Sequence, residues 1–322
     1  MYKRRELLQY LAVAAVPTLP RFALAQVPQT AHLVFIHGRG QGAENPAQLC
    51  AGWKNSLSKG LLRQGRALPL KLNIAFPFYG SLLDNFVAQW VSAKMSDVQT
   101  KGYSSNESFL ALQADIANSL KVNAGITDAE VDRAYGNNPK PKGAQNWEWV
   151  LATIRAIDHA NVGLTEKAIE NFTRDVFLYL NRTEVQKSIN KTIIDELTDE
   201  PTVIVAHSLG SVVAYNVLCT VTRKLNVPLL VTIGSPLGIQ AIKKNFSPLR
   251  FPDSVGAWYN AFDKKDVVAL RPLDSKNFPV EPKIENNSSI KNWTDNHHSA
   301  VGYLDDKNVC LKIVSALKQA DK

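Results

Sequence analysis

The stretch Val203-Ile-Val-Ala206-His207-Ser208-Leu209-Gly210-Ser-Val-Val-Ala214 constrains the fold more than any other part of the chain. A short β-branched run reaches a serine set among small residues, and an apolar helical pattern begins at once, with no residues left over for a loop. Such a segment reads as a buried strand that turns sharply into a helix. The turn raises the serine hydroxyl above the sheet, at the positive end of the helix. Ala206 and Gly210 are small because the turn brings the strand and helix backbones close together. Ala206 stands where the usual GxSxG pattern has its first glycine, and it preserves the smallness.

Other segments repeat the strand-then-helix alternation. Residues 32–37, 71–76, 202–206, 229–233 and 258–262 read as strands, and 47–64, 211–223 and 309–317 as helices. Alternation of this kind predicts an α/β fold with a mostly parallel sheet covered on both faces, a three-layer sandwich. Between about residues 81 and 200 the strand signal nearly vanishes, over a span far longer than an ordinary connection. Helical periodicity covers 86–95, 109–120, 147–157 and 171–197, with a Pro/Lys loop over 137–143. The segment is expected to be a large helical insertion, a cap on the sheet domain, whose Phe86, Trp90, Trp147 and Trp149 suit apolar substrates or form its own core.

Ser208 at a sharp strand–helix turn is the candidate nucleophile, and such a nucleophile needs donors for a developing oxyanion. One is the backbone N–H of Leu209. The second is expected from His37-Gly38-Arg39-Gly40, where glycines let the backbone approach, and is assigned to Arg39 or Gly40. In this architecture the acid follows the serine and the histidine follows the acid. After the fifth strand, Asp266 stands immediately before Val267-Val268 and is preferred, with Asp263 as its alternate. Near the C-terminus His298 is preferred as the base, with His297 as its alternate. His37 reads as a strand-end structural residue and His207 as packing. A metal site at Asp295, His297 and His298 lacks further ligands, so no metal and no cofactor is expected.

The formal net charge of +8 arises partly at the N-terminus, where Lys3, Arg4, Arg5 and Arg21 face only Glu6. No basic block interleaved with aromatics suggests nucleic acid as a partner. No apolar run reaches the roughly 18–20 residues that span a bilayer, so stable membrane insertion is not expected. Lys3-Arg4-Arg5-Glu6-Leu7-Leu8, the apolar Leu11–Val16 and Ala23-Leu24-Ala25 have the organisation of a twin-arginine-like signal peptide over residues 1–25. A periplasmic or secreted enzyme is therefore expected, with a hydrolase domain over 26–322. Cys50, Cys219 and Cys310 form no CxxC spacing and read as free thiols, with one disulfide after export left open.

The blocks Phe35-Ile-His-Gly-Arg-Gly-Gln41, Asp175-Val-Phe-Leu-Tyr-Leu180, Ala206 to Tyr215, Thr232-Ile-Gly-Ser-Pro-Leu-Gly-Ile239, Asp263 to Ala269 and His297 to Leu304 resemble a bacterial group of esterase/lipase-like serine hydrolases within the α/β-hydrolase superfamily. The resemblance implies the fold and a serine triad, and no particular substrate. The expected activity is hydrolysis of a carboxylic ester, on a small-molecule or acyl-ester substrate. The alternatives are an amidase or peptidase with the same triad, or an inactive binding protein on the same scaffold. Oligomeric state is not legible in the sequence.

Overall fold

The computed structural model describes residues 31–39, 44–100, 104–136, 147–160, 163, 165–269 and 271–319. The expected export segment, Gly40 and the loop over 137–143 lie outside these residues. The described strands form a single all-parallel six-stranded sheet in the order β2-β1-β3-β4-β5-β6. They are β1 (Ala31–Ile36), β2 (Leu72–Ala75), β3 (Thr202–His207), β4 (Leu229–Ile233), β5 (Trp258–Asp263) and β6 (Glu285–Ile290). Helix α1 (Pro46–Leu62) joins β1 to β2. Between β2 and β3 lie α2 (Gly80–Thr100), α3 (Ser104–Asn123), α4 (Asp128–Tyr135), α5 (Trp147–His159), α6 (Glu166–Asn181) and α7 (Thr183–Ile194). Then come α8 (Leu209–Thr220), the short α9 (Gln240–Lys243), and α10 (Ala300–Leu304) and α11 (Lys307–Gln319) after β6.

Strand periodicity divides the core in two. Leu33, Phe35, Val203, Val205, Val231 and Ile233 pack with Trp53 and Leu57 of α1 and Ile313 and Leu317 of α11. The alternating Val34, Ile36, Ile204, Ala206 and Leu230 pack with Val212 and Val213 of α8 and with the inserted helices, through Ile116, Leu120, Ile154 and Val176. The strands read as continuous apolar runs because both faces are covered. The inserted helices share one core with the sheet. Phe86, Trp90 and Trp149 are partly buried against that core, and the Trp90 and Phe109 rings meet edge to face at 5.1 Å.

The structure departs from the periodicity reading in three places. The helix expected over 171–197 is two helices, because Arg182 is extended at φ −120° and ψ 105° and serves as cap to both α6 and α7. Helix α4 starts with a capping box in which Thr127 and Glu130 each accept from the other's backbone N–H. Strand β6 has the polar sequence Glu-Asn-Asn-Ser-Ser-Ile and no apolar alternation. It is an edge strand held by side-chain amides. Asn260 Nδ2 donates to Asn286 Oδ1 at 2.9 Å, and Asn286 Nδ2 donates to the carbonyls of Leu273 and Ile284. A ladder of Trp258, Thr232 and Asn260 continues this polar row into β4 and β5.

The topology locates a crevice before any side chain is considered. From β1 the chain moves to β2 on one side, and from β3 it moves to β4 on the other, although β1 and β3 are paired neighbours. Their C-terminal ends therefore flank a topological switch point, where open parallel sheets place their ligands. Here α8 lies against the end of β1 with almost no clearance: a Cβ on Gly210 would stand 2.4 Å from the carbonyl oxygens of both Ile36 and His37. Both contacts are backbone, so nothing can swing aside. Gly210→Ala is expected to cost about 1–3 kcal/mol in urea unfolding. An unchanged denaturation midpoint would show that the two elements can separate without penalty.

Candidate active site

Ser208 sits between β3 and α8 with φ 53° and ψ −128°, a left-handed backbone that a β-substituted residue adopts at a cost. Its N–H donates to the Ile233 carbonyl at 3.2 Å, which ties the turn to β4. Its carbonyl accepts from the Ser211 hydroxyl at 2.6 Å, and the Ser211 and Ser235 hydroxyls are 2.7 Å apart. Because Ser211 donates to Ser208, Ser235 is the donor to Ser211 and accepts from the Leu237 N–H in turn. Ser211 and Ser235 are both buried. The Gly-Ser-Pro block after β4 thus braces the strained turn through a two-hydroxyl relay.

Ser208 Oγ lies 2.9 Å from His298 Nε2, and His298 Nδ1 lies 2.8 Å from Asp266 Oδ2. The structure therefore brings together the preferred serine, histidine and aspartate, contributed by the loops after β3, β6 and β5. Asp266 is buried and accepts further bonds from Tyr303 Oη at 2.6 Å and the Val268 N–H at 3.1 Å. Burial and the neighbouring Asp266 carboxylate push the Tyr303 phenol well above its ordinary value, so it remains a donor.

The two alternates have other partners. Asp263 accepts from the backbone N–H groups of Lys265 and Asn292 at 2.8 and 2.6 Å. Asn292 in turn donates to the Ser299 carbonyl and accepts from Thr294. Asp263 thereby anchors the loop that carries His298. His297 has φ 52°, and its Nδ1 donates to the Asn292 carbonyl at 2.8 Å. Among the described residues no cluster of three His, Cys, Asp or Glu could hold a metal. Cys50, Cys219 and Cys310 are free thiols, and no helix among the described residues is long and apolar enough to cross a membrane.

His207, expected to be packing alone, makes a specific bond: its Nε2 donates to the His298 carbonyl at 2.6 Å. The ring centroids of His207 and His298 are 4.9 Å apart. Burial, with the nearby His298, lowers the His207 pKa to about 3. A neutral ring here carries no charge to oppose a proton arriving on His298. His37 is structural, as the strand-end reading anticipates. Its Nδ1 donates to the Gly38 carbonyl, its Nε2 accepts from the Tyr79 N–H at 3.1 Å, and Tyr79 Oη donates to the His37 carbonyl. Burial lowers its pKa to about 4, against the opposing bond to Gly38.

Gly38 faces the serine directly, since a Cβ there would stand 3.0 Å from Ser208 Cβ. Arg39 follows, and its Nε donates to Asp175 Oδ2 on α6 at 2.8 Å. Above Ser208 opens a cavity of about 450 Å³. Its walls include Leu49 and Trp53 of α1, Ala168 and Phe172 of α6, and Val268 and Ala300, with Arg39, Glu44, Gln48 and Asn296 as polar members. The insertion thus lines the cavity with α6, whereas Phe86, Trp90 and Trp149 belong to its packed interior.

Family models, curated proteins and solved structures contain no match to this chain.

The two lowered histidines have a consequence for stability. Both fold with pKa values of about 4 and 3, below their ordinary 6.5. Between those values the unfolded chain binds protons that the folded chain refuses, so stability is complete above the ordinary value and falls on acidification. The urea midpoint is expected to rise from about pH 4 to about pH 7, while the ring ¹⁵N shifts of His37 and His207 keep their neutral values down to about pH 5. Protonation of either ring near its ordinary pKa would contradict the assigned burial.

Proposed function

We propose that this chain is a serine hydrolase of the α/β-hydrolase type that cleaves a carboxylic ester through an acyl-enzyme. The observation that carries the reading is the continuous hydrogen-bonded line from Ser208 Oγ through His298 to the buried Asp266, at the floor of a cavity. His298 takes the hydroxyl proton as Ser208 Oγ attacks the carbonyl carbon. Asp266 holds the imidazole in the tautomer that presents a bare Nε2 and stabilises the imidazolium that forms. Tyr303 and the Val268 N–H keep the carboxylate oriented.

The tetrahedral oxyanion is received by backbone N–H groups at Leu209 and Arg39. Leu209 is the first residue of α8, where N–H groups have no intrahelical acceptor. The leaving alcohol takes the proton from His298, and water, deprotonated by the same histidine, releases the acid. The inserted helices act as a cap in the limited sense that α6 forms one wall of the cavity. The basic paired-arginine segment at residues 3–8 supports action outside the cytoplasm after export.

A cavity of about 450 Å³ holds about 15 non-hydrogen atoms at roughly 30 Å³ each, so short and medium acyl groups suit it better than long ones. On p-nitrophenyl esters, butyrate to octanoate is expected to outpace palmitate. Ser208→Ala is expected to lower kcat by about 10³-fold or more, and a fluorophosphonate probe is expected to label only the wild type. Undiminished turnover by the alanine variant would refute the nucleophile, and cleavage of the matched anilides in preference to the esters would reassign the enzyme as an amidase.

A further inference from the structure

The block Asp175 to Leu180 has no part in the chemistry described so far, yet Asp175 is a buried carboxylate at 2% exposure. Such a group must be compensated, and both oxygens are. Oδ1 accepts from Nε and Nη2 of its neighbour Arg174 at 3.0 and 2.8 Å. Oδ2 accepts from Nε of Arg39, 136 positions away in the chain. Arg174 serves one oxygen from within α6, so the fold reaches across to the loop after β1 to satisfy the other.

One turn further along the same helix face, Tyr179 makes the complementary reach. Its hydroxyl donates to Asn190 Oδ1 on α7 at 2.7 Å and accepts from Asn216 Nδ2 on α8 at 3.0 Å. Helix α6 therefore holds Arg39 at one end of this face and α8 at the other. These two elements carry the N–H groups assigned to the oxyanion, on Arg39 and Leu209.

We propose that Asp175 is a positioning residue for the oxyanion hole: by gripping the Arg39 guanidinium it sets the Arg39 backbone N–H at a fixed distance from the Leu209 N–H, with α6 as the brace between them. The inference rests on the serine-hydrolase reading above. Its physical basis is that the oxyanion loop begins with a glycine, and the loop's position decides where its donor points. His37 is pinned by Tyr79 on the strand side, and Asp175 supplies a second anchor beyond Gly38. Displacing such a donor by about 1 Å weakens the transition state while leaving the ground state nearly unaffected.

The test compares a trifluoromethyl ketone, which Ser208 converts to an anionic hemiketal that needs the hole, with a ground-state competitive inhibitor that does not. Wild-type hydrolysis and fluorophosphonate labelling come first, and their absence would refute the serine-hydrolase reading, not this one. In Asp175→Asn, kcat and trifluoromethyl ketone affinity are each expected to fall about 10- to 100-fold, with KM and ground-state inhibition moving by less than about twofold. Arg39→Met removes the other half of the pair at a partly exposed position and leaves Asp175 its bond to Arg174. It is expected to reproduce the loss, which covers the case in which the aspartate variant fails to fold. The double variant is expected to be no worse than either single one. Equal losses for both inhibitors, or single effects that multiply in the double variant, would overturn the proposal.

Discussion

The closeness of β1 to the turn between β3 and α8 governs the rest of the molecule. Gly210 leaves no space for a side chain against the carbonyls of Ile36 and His37, and Gly38 leaves little against Ser208 Cβ. Pressed from below by the sheet, Ser208 takes a left-handed backbone, and its hydroxyl has only the space above the strand ends to enter. That strain is of order 1–3 kcal/mol and persists only if the surroundings over-determine it. The Ser235–Ser211–Ser208 relay, the Ile233 carbonyl and the first turn of α8 do so from three directions. The switch point of the sheet and the strained serine are therefore one feature, since the same pair of neighbouring strands produces both.

Two aspartates three residues apart divide the work around His298 according to what each faces. Asp263 ends β5 and takes backbone N–H groups, so it shapes the loop. Asp266 lies one turn on and takes the imidazole. Tyr303 links them, accepting from the Asp263 N–H at 3.1 Å while donating to Asp266. A single phenol thus couples the position of the Asp266 carboxylate to the end of the strand. A second coupling runs from His207, whose bond to the His298 carbonyl joins the backbone of His298 to the turn that carries Ser208.

Much of this was legible because it depends on local pattern. All five expected strands lie within one residue of their observed ends at both termini, and the turn between β3 and α8 declared itself through small residues around a serine. The structure joins Asp266 rather than Asp263, and His298 rather than His297, to Ser208. What escaped depends on tertiary partners. Strand β6 has no apolar alternation, since its pairing is stabilised by asparagine amides to Asn260 and Leu273. Arg182 breaks a helix inside a continuous periodic run, and no proline or glycine marks it. Asp175 and Tyr303 stood inside segments already singled out, but their roles require partners that lie 136 and 37 positions away. A lone acid between apolar residues on a buried helix face was the available signal for Asp175.

The insertion is large enough to suggest a lid, but its packing argues for a fixed wall. A lid that opens needs a core of its own and an interface it can leave, whereas Ile116, Ile154 and Val176 share one core with Ile204 and Val212 of the central sheet and α8. Opening would expose apolar surface at about 25 cal/mol per Å² and strip a buried carboxylate of its Arg39 partner. Asn123 at the end of α3 adds a further tie, donating to the Val267 carbonyl beside Asp266 at 2.9 Å. The inserted helices thus hold the loop after β5 through Asn123, the loop after β1 through Asp175 and α8 through Tyr179. Gln48 and Trp53 of α1 and Phe172 of α6 line the cavity above Ser208, so packed helices set its walls. The cavity is therefore a standing feature of the fold, not the product of a closing gate.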